Sequence, residues 1–83
     1  HKNIVRLLDT VVSKGNISKN FYIVLEYIEY DLADILEKNH KFNDEAIKSI
    51  MYQILLGINY LHRTKNVIHR DIKASNILIS KKG

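Results

Sequence analysis

Apolar and polar positions change their spacing several times along the chain. Residues 4–12 (Ile4, Val5, Leu7, Leu8, Val11 and Val12 among them) are β-branched and leucine-rich, which predicts a strand. Residues 13–20 are polar and contain Gly15 and Asn16, the composition of a hairpin loop. Residues 21–25, Phe-Tyr-Ile-Val-Leu, form a continuous apolar run of strand length. Such a run is consistent with a strand buried on both faces, although period alone does not exclude a short buried helix. Two strands around a Gly-containing loop predict an antiparallel hairpin.

From residue 26 the pattern is different. Residues 26–30 have mixed polarity and no period. Asp31 is placed to cap a short helix over Leu32, Ala33, Ile35 and Leu36, which residues 39–42 then break. Asn43 reads as a second N-cap, with Asp44 and Glu45 in the first turn, where the helix dipole favours negative charge. Ile47, Ile50, Met51, Ile54, Leu55, Ile58, Leu61 and His62 then recur at three- and four-residue steps. They are the stripe of an amphipathic helix of about five turns, ending near Arg63 and Thr64. Arg63 and Lys65 stand at its carboxyl end, where cations are favoured. Val67 and Ile68 are a brief apolar pair, residues 77–79 a short strand, and residues 80–83 the start of a turn. No internal repeat or low-complexity segment interrupts this layout of a hairpin followed by a mostly helical part.

Length and composition constrain the picture. The 83 residues are 46% hydrophobic, enough apolar material to form a core. A chain of this size buries only about 60% of its unfolded surface, which leaves little stability without further support. There is no cysteine, so disulfides and thiolate metal sites are excluded. No apolar run approaches the roughly 20 residues of a membrane span, and no signal peptide opens the sequence. The first residue is His1 rather than methionine, which suggests a start within a longer protein. A soluble fragment from the cytoplasm or nucleus is the expectation, with no membrane partner. The net charge of +4, from thirteen Lys and Arg against nine Asp and Glu, is scattered apart from Lys81, Lys82 and a cluster at Arg63, Lys65, His69, Arg70 and Lys73. No basic stripe interleaved with aromatics occurs, so solvated charge is favoured over a nucleic-acid surface.

The candidate chemistry lies between Ile68 and Ile77, in the polar octet His69-Arg70-Asp71-Ile72-Lys73-Ala74-Ser75-Asn76. Asp71 and Asn76 bear short oxygen-containing side chains five residues apart, suited to a hydroxyl proton or a hard metal ion. Lys73 adds a mobile positive charge near both, as phosphate chemistry requires. The plainer alternative is a surface loop in which Arg70 pairs with Asp71 and Asn76 makes a local turn.

The octet resembles the catalytic-loop signature of protein kinases, H-R-D-x-x-x-x-N, a long helix preceding it and a short apolar strand following it. The resemblance implies an α+β fragment of the bilobal protein-kinase fold. Residues 1–25 would end the N-lobe, 26–31 would form the hinge, and 32–83 would begin the C-lobe with the catalytic loop at 69–76. It implies that Asp71 accepts or orients the substrate hydroxyl and that Asn76 binds magnesium. Lys73 would lie against the transferred phosphate. Serine/threonine kinases place a lysine at this point and tyrosine kinases usually differ. Arg70 matches the arginine that reaches a phosphorylated activation segment, a regulatory role. His69 reads as structural.

The upstream part resembles the same family. Residues 1–9 look like the segment entering the strand after the αC helix, although Pro is common where Lys2 stands. Leu25 matches the gatekeeper position, Glu26 and Ile28 match positions whose backbone groups bind adenine, Asp31 a polar position near the ribose, and Leu78 the apolar residue under the ring. Ordinary core packing is the alternative for Leu25 and Leu78, and the two descriptions are compatible. ATP and Mg²⁺ are the implied cofactors, with a protein substrate bearing Ser or Thr as partner. Residues 26–32, Glu-Tyr-Ile-Glu-Tyr-Asp-Leu, together with the octet are similar to the cyclin-dependent kinases, which implies a cyclin-like activator. Ala74 stands where many of those proteins have Pro.

The 83 residues contain no G-x-G-x-x-G, no strand lysine with its αC glutamate, and no Asp-Phe-Gly. The expectation is therefore a serine/threonine kinase segment that is inactive by itself. A truncated relic serving as a binding or scaffold piece is the alternative.

Overall fold

The computed structural model describes residues 1–15 and 19–83. β1 (Leu7–Lys14) and β2 (Lys19–Leu25) form an antiparallel two-stranded sheet. Leu7 pairs with Leu25 and Asp9 with Val24, so the register shifts by one residue around Leu8. A shift of this kind bends the strand and sharpens its twist. Both strands extend further into the polar stretch than its composition predicts, since Ser13 pairs with Asn20 and Lys14 with Lys19. A two-stranded ribbon with solvent on its faces accepts polar side chains without penalty. Residues 16–18 of the expected loop lie outside the described residues. The strand predicted from residue 4 begins at Leu7, because residues 1–6 run along a helix instead and Ile4 N–H closes a turn on His1 O at 3.1 Å.

Residues 21–25, whose apolar run is consistent with a strand buried on both faces or a short buried helix, form a strand that is not buried. Every residue of β1 and β2 is exposed, Phe21 at 75% and Ile23 at 68%. The apolar run specifies a strand that requires cover on both faces, and none of the described elements packs extensively on the hairpin.

The helical part follows its local signals. β3 (Tyr30–Asp31) leads into α1 (Leu32–Glu37), whose N-cap is Asp31: the carboxylate accepts from Asp34 N–H at 2.7 Å. Asn39 takes a left-handed φ of 58° after the helix, a conformation asparagine tolerates better than most residues. α2 (Asp44–Asn59) is capped by Asn43, whose Oδ1 accepts from Ala46 N–H at 2.8 Å, with Asp44 and Glu45 in the first turn. Replacing Asn43 by Ala should cost about 1 kcal/mol, read as a lower Tm of the intact protein. An unchanged Tm would show that α2 starts independently of this cap. A π-helical turn, Tyr60–Thr64, continues the helix, with Lys65 N–H reaching back to Tyr60 O. This places the end of the helical run at Thr64, as the period predicts.

Of the predicted stripe, Ile50, Ile54, Ile58 and Leu61 are half-buried, while Ile47, Met51 and Leu55 are exposed. Gly57 is the single buried residue among those described. It marks the point where residues 1–5 cross α2: a Cβ there would meet Asn3 O at 3.1 Å. After a 3-10 turn, Ala74–Asn76, β4 (Leu78–Ile79) pairs antiparallel with β3, Tyr30 opposite Ile79 and Asp31 opposite Leu78. The small second sheet ties the segment before α1 to the segment after the polar octet.

Candidate active site

The octet is held by its own side chains. His69 Nδ1 accepts from Asp71 N–H at 3.1 Å, closing a tight turn around Arg70. Arg70 takes a φ of 71°, the left-handed region that costs a bulky residue about 1–3 kcal/mol and that clusters at functional sites. From Asp71 the chain is pinned a second time. Asn76 Nδ2 donates to the Asp71 carbonyl at 2.9 Å and to Asp71 Oδ2 at 3.2 Å. The 3-10 turn that carries Asn76 is closed by Asn76 N–H on Lys73 O and Ile77 N–H on Ala74 O.

These bonds bring Asp71, Lys73 and Asn76 together. Lys73 Nζ lies 3.6 Å from Asp71 Oδ2, and both side chains are more than half exposed. An ion pair so open to solvent adds little to stability; its consequence is placement. The carboxylate is thus oriented by Lys73 and Asn76 rather than paired with Arg70, as the plain surface-loop alternative has it. Asp71 Oδ1 takes part in none of these contacts, which fall on Oδ2 and on the backbone. Because Asn76 commits its Nδ2 to Asp71, its amide oxygen is turned away and available.

That oxygen fits a hard cation such as magnesium, which takes oxygen ligands. The described residues hold no group of three or more His, Asp or Glu side chains arranged for a metal, so Asn76 and Asp71 would supply only part of a coordination shell.

Of the remaining predicted residues, Asp31 and Leu78 pair with each other in the second sheet, Leu25 ends β2, and Glu26 and Ile28 lie between β2 and β3. A 390 Å³ cleft is lined by Glu26, Ile28, Asn76 and Leu78 together with α2 residues such as Ile54 and Ile58. Leu25, Asp31, Arg70, Asp71 and Lys73 are not on its wall. Leu25 is the last residue of β2 and half exposed, and Asp31 spends its carboxylate on the α1 cap. Glu26 is tied at both backbone and side chain: its N–H donates to Arg6 O and its Oε1 accepts from Arg6 N–H, each at 2.9 Å. Residues 27–29 have no regular structure, and Glu29 Oε2 accepts from Lys81 N–H at 2.7 Å.

One participant escaped the sequence reading. Gln53 lies within the helix pattern as an ordinary polar position, yet it receives a hydrogen bond from Asn3 Nδ2 at 3.2 Å. Its interruption of the apolar face between Ile50 and Ile54 was the available signal.

A model of the protein kinase domain matches residues 1–83. The chain belongs to the protein kinase family. It is 44% identical to cyclin-dependent kinase 12 of Caenorhabditis elegans over 91 aligned residues, which cover the whole chain and 12% of that protein. Cyclin-dependent kinase 10 of Mus musculus is 45% identical over the whole chain and 22% of its own length. Extracellular signal-regulated kinase 7 of Drosophila melanogaster is 42% identical over 99% of the chain and 9% of its own length. The chain therefore spans less than a quarter of these relatives, and within the kinase family it is like the cyclin-dependent kinases. The hairpin followed by helices fits part of the protein-kinase fold, an α+β arrangement.

Proposed function

We propose that these residues form the hinge and catalytic-loop region of an ATP-dependent protein serine/threonine kinase. The observation that carries the reading is the triad Asp71, Lys73 and Asn76, gathered within hydrogen-bond and ion-pair distance on a loop anchored at both ends. In this reading Asp71 Oδ1 takes the proton of the substrate hydroxyl as it attacks, at the contribution of about 10²–10⁴-fold typical of a positioned base. Lys73 stands where it can neutralise charge on the transferred phosphoryl group while holding Asp71 in one rotamer. Asn76 offers its amide oxygen to magnesium, which when bound with ATP neutralises the phosphates.

The hinge would run through residues 26–31. With the Glu26 N–H committed to Arg6, adenine is met by the Glu26 carbonyl and the Ile28 backbone, and Leu78 lies under the ring. Leu25, at the end of β2 and off the wall of the 390 Å³ cleft, would take the gatekeeper place, Asp31 would combine its cap with contact to the ribose edge, and Arg70 would wait for a phosphorylated segment. The partners are a protein bearing Ser or Thr and, by likeness to the cyclin-dependent kinases, a cyclin-like activator, in cytoplasm or nucleus.

The test is phosphotransfer by the intact protein that carries these residues, with Mg²⁺, labelled ATP and a mixed peptide library, followed by phosphoamino-acid analysis. Label on Ser and Thr is expected. Label on Tyr alone would remove the serine/threonine assignment. Nucleotide binding without transfer would favour the alternative of a non-catalytic scaffold piece.

A further inference from the structure

Residues 1–6 have no secondary structure of their own, yet they connect directly to the hinge through the paired bonds of Arg6 and Glu26. What fixes them lies on α2. Gln53 and Gly57 are four residues apart and share one helix face. Asn3 seats there, its carbonyl over Gly57 and its Nδ2 donating to Gln53 Oε1 at 3.2 Å.

The other end of Gln53 is also engaged. Its Nε2 donates to Gly83 O at 3.0 Å, to Ser49 Oγ at 3.2 Å and to Ser49 O at 3.3 Å. This fixes the direction of the amide, because only the nitrogen can face two carbonyls. The amide oxygen must then face Asn3 and can only accept. The consequence is visible in Asn3: its Oδ1 is buried with no partner, and turning that amide over would set oxygen against oxygen. A buried acceptor left unpaired is a cost the fold carries to keep the Asn3–Gln53 contact.

We propose that Gln53 is a positioning residue that fastens two segments distant in sequence to α2: the stretch entering the hairpin and the turn after β4. Through Asn3 and Arg6 it sets the hinge end of the hairpin. Through Gly83 it sets the turn that follows the strand carrying Leu78. The nucleotide walls and the Asp71–Asn76 loop thus keep one relative placement. A glutamine is required because the residue must donate at one end and accept at the other; Met fills the space without either bond, and Glu turns an oxygen toward the Ser49 and Gly83 carbonyls.

The inference rests on the kinase reading only for its kinetic readout. The experiment compares Gln53→Met, Gln53→Glu, Asn3→Ala and the Asn3→Ala/Gln53→Met double variant in the intact protein, by amide hydrogen exchange and by steady-state kinetics. Gln53→Met should speed exchange about tenfold in residues 1–6 and 80–83, and should raise KM for ATP about fivefold while kcat stays within about twofold. Gln53→Glu should be at least as severe. Asn3→Ala should loosen residues 1–6 alone, which keeps the test open should a Gln53 variant fail to fold. The double variant should match Gln53→Met in residues 1–6, because both remove one contact. Unchanged exchange in the Gln53→Met protein, or additive effects of the two substitutions in residues 1–6, would overturn the proposal whatever the activity. Absence of phosphotransfer by the wild type would count against the kinase reading, and the exchange data would still decide the role of Gln53.

Discussion

Replacing Asp71 by Asn in the intact protein should lower kcat about a thousandfold and leave KM for ATP nearly unchanged. The substitution changes one atom of a side chain whose surroundings are otherwise preserved. The bond from Asn76 Nδ2 to the Asp71 carbonyl is made to the backbone and survives, as does the His69 contact to the Asp71 N–H. The loop therefore keeps its shape, and Tm should stay within a degree or two of wild type. What is lost is a charged acceptor oriented by Lys73 at 3.6 Å. An amide neither takes a proton at neutral pH nor balances the lysine. The measurement is kcat and KM by steady-state phosphotransfer, paired with thermal unfolding. Retention of more than a tenth of the wild-type kcat would remove Asp71 from the role of proton acceptor.

The loop on which this proposed role rests was legible because its determinants are local. The octet has fixed residues at fixed spacing, and its internal bonds span two and five positions. The caps are local for the same reason: Asp31 and Asn43 each accept from the N–H three residues ahead. The main helix followed from its period. Non-local relations were not legible. The pairing of Tyr30–Asp31 with Leu78–Ile79 joins two-residue strands too short to carry a pattern. The clamp at Gln53 joins positions 50 and 30 residues away. The left-handed Arg70 follows from the turn that His69 closes, and no residue preference announces it. The apolar run of β2 was read correctly as a strand, but its burial depends on what lies against it, which no pattern within the run specifies.

That same exposure leads to the second large effect. Residues 1–83 expressed alone should show no cooperative unfolding transition, should bind a hydrophobic dye such as ANS, and should neither bind ATP tightly nor transfer phosphate. The chain exposes 7345 Å², where a compact monomer of 9.7 kDa would expose about 5,100 Å². Its radius of gyration is 16.0 Å against about 12 Å for a compact chain of this length. The excess of roughly 2,200 Å² equals one partner's share of a large obligate interface, and it falls on the side chains that should form a core. Among the described residues no hydrophobic side chain is buried. Among the described residues both strands of the hairpin also present an unpaired edge, which invites association with another chain. The Asp71–Lys73–Asn76 cluster would survive as local geometry, since its bonds are short-range, but the proposed phosphoryl transfer depends on holding two substrates and the loop in one frame. The checks are thermal circular dichroism, dye fluorescence and nucleotide titration on the isolated segment, beside the intact protein. A sigmoidal transition from a monomeric, dye-silent segment would show that these residues bury a core of their own, and the account of the exposed hairpin would have to be abandoned.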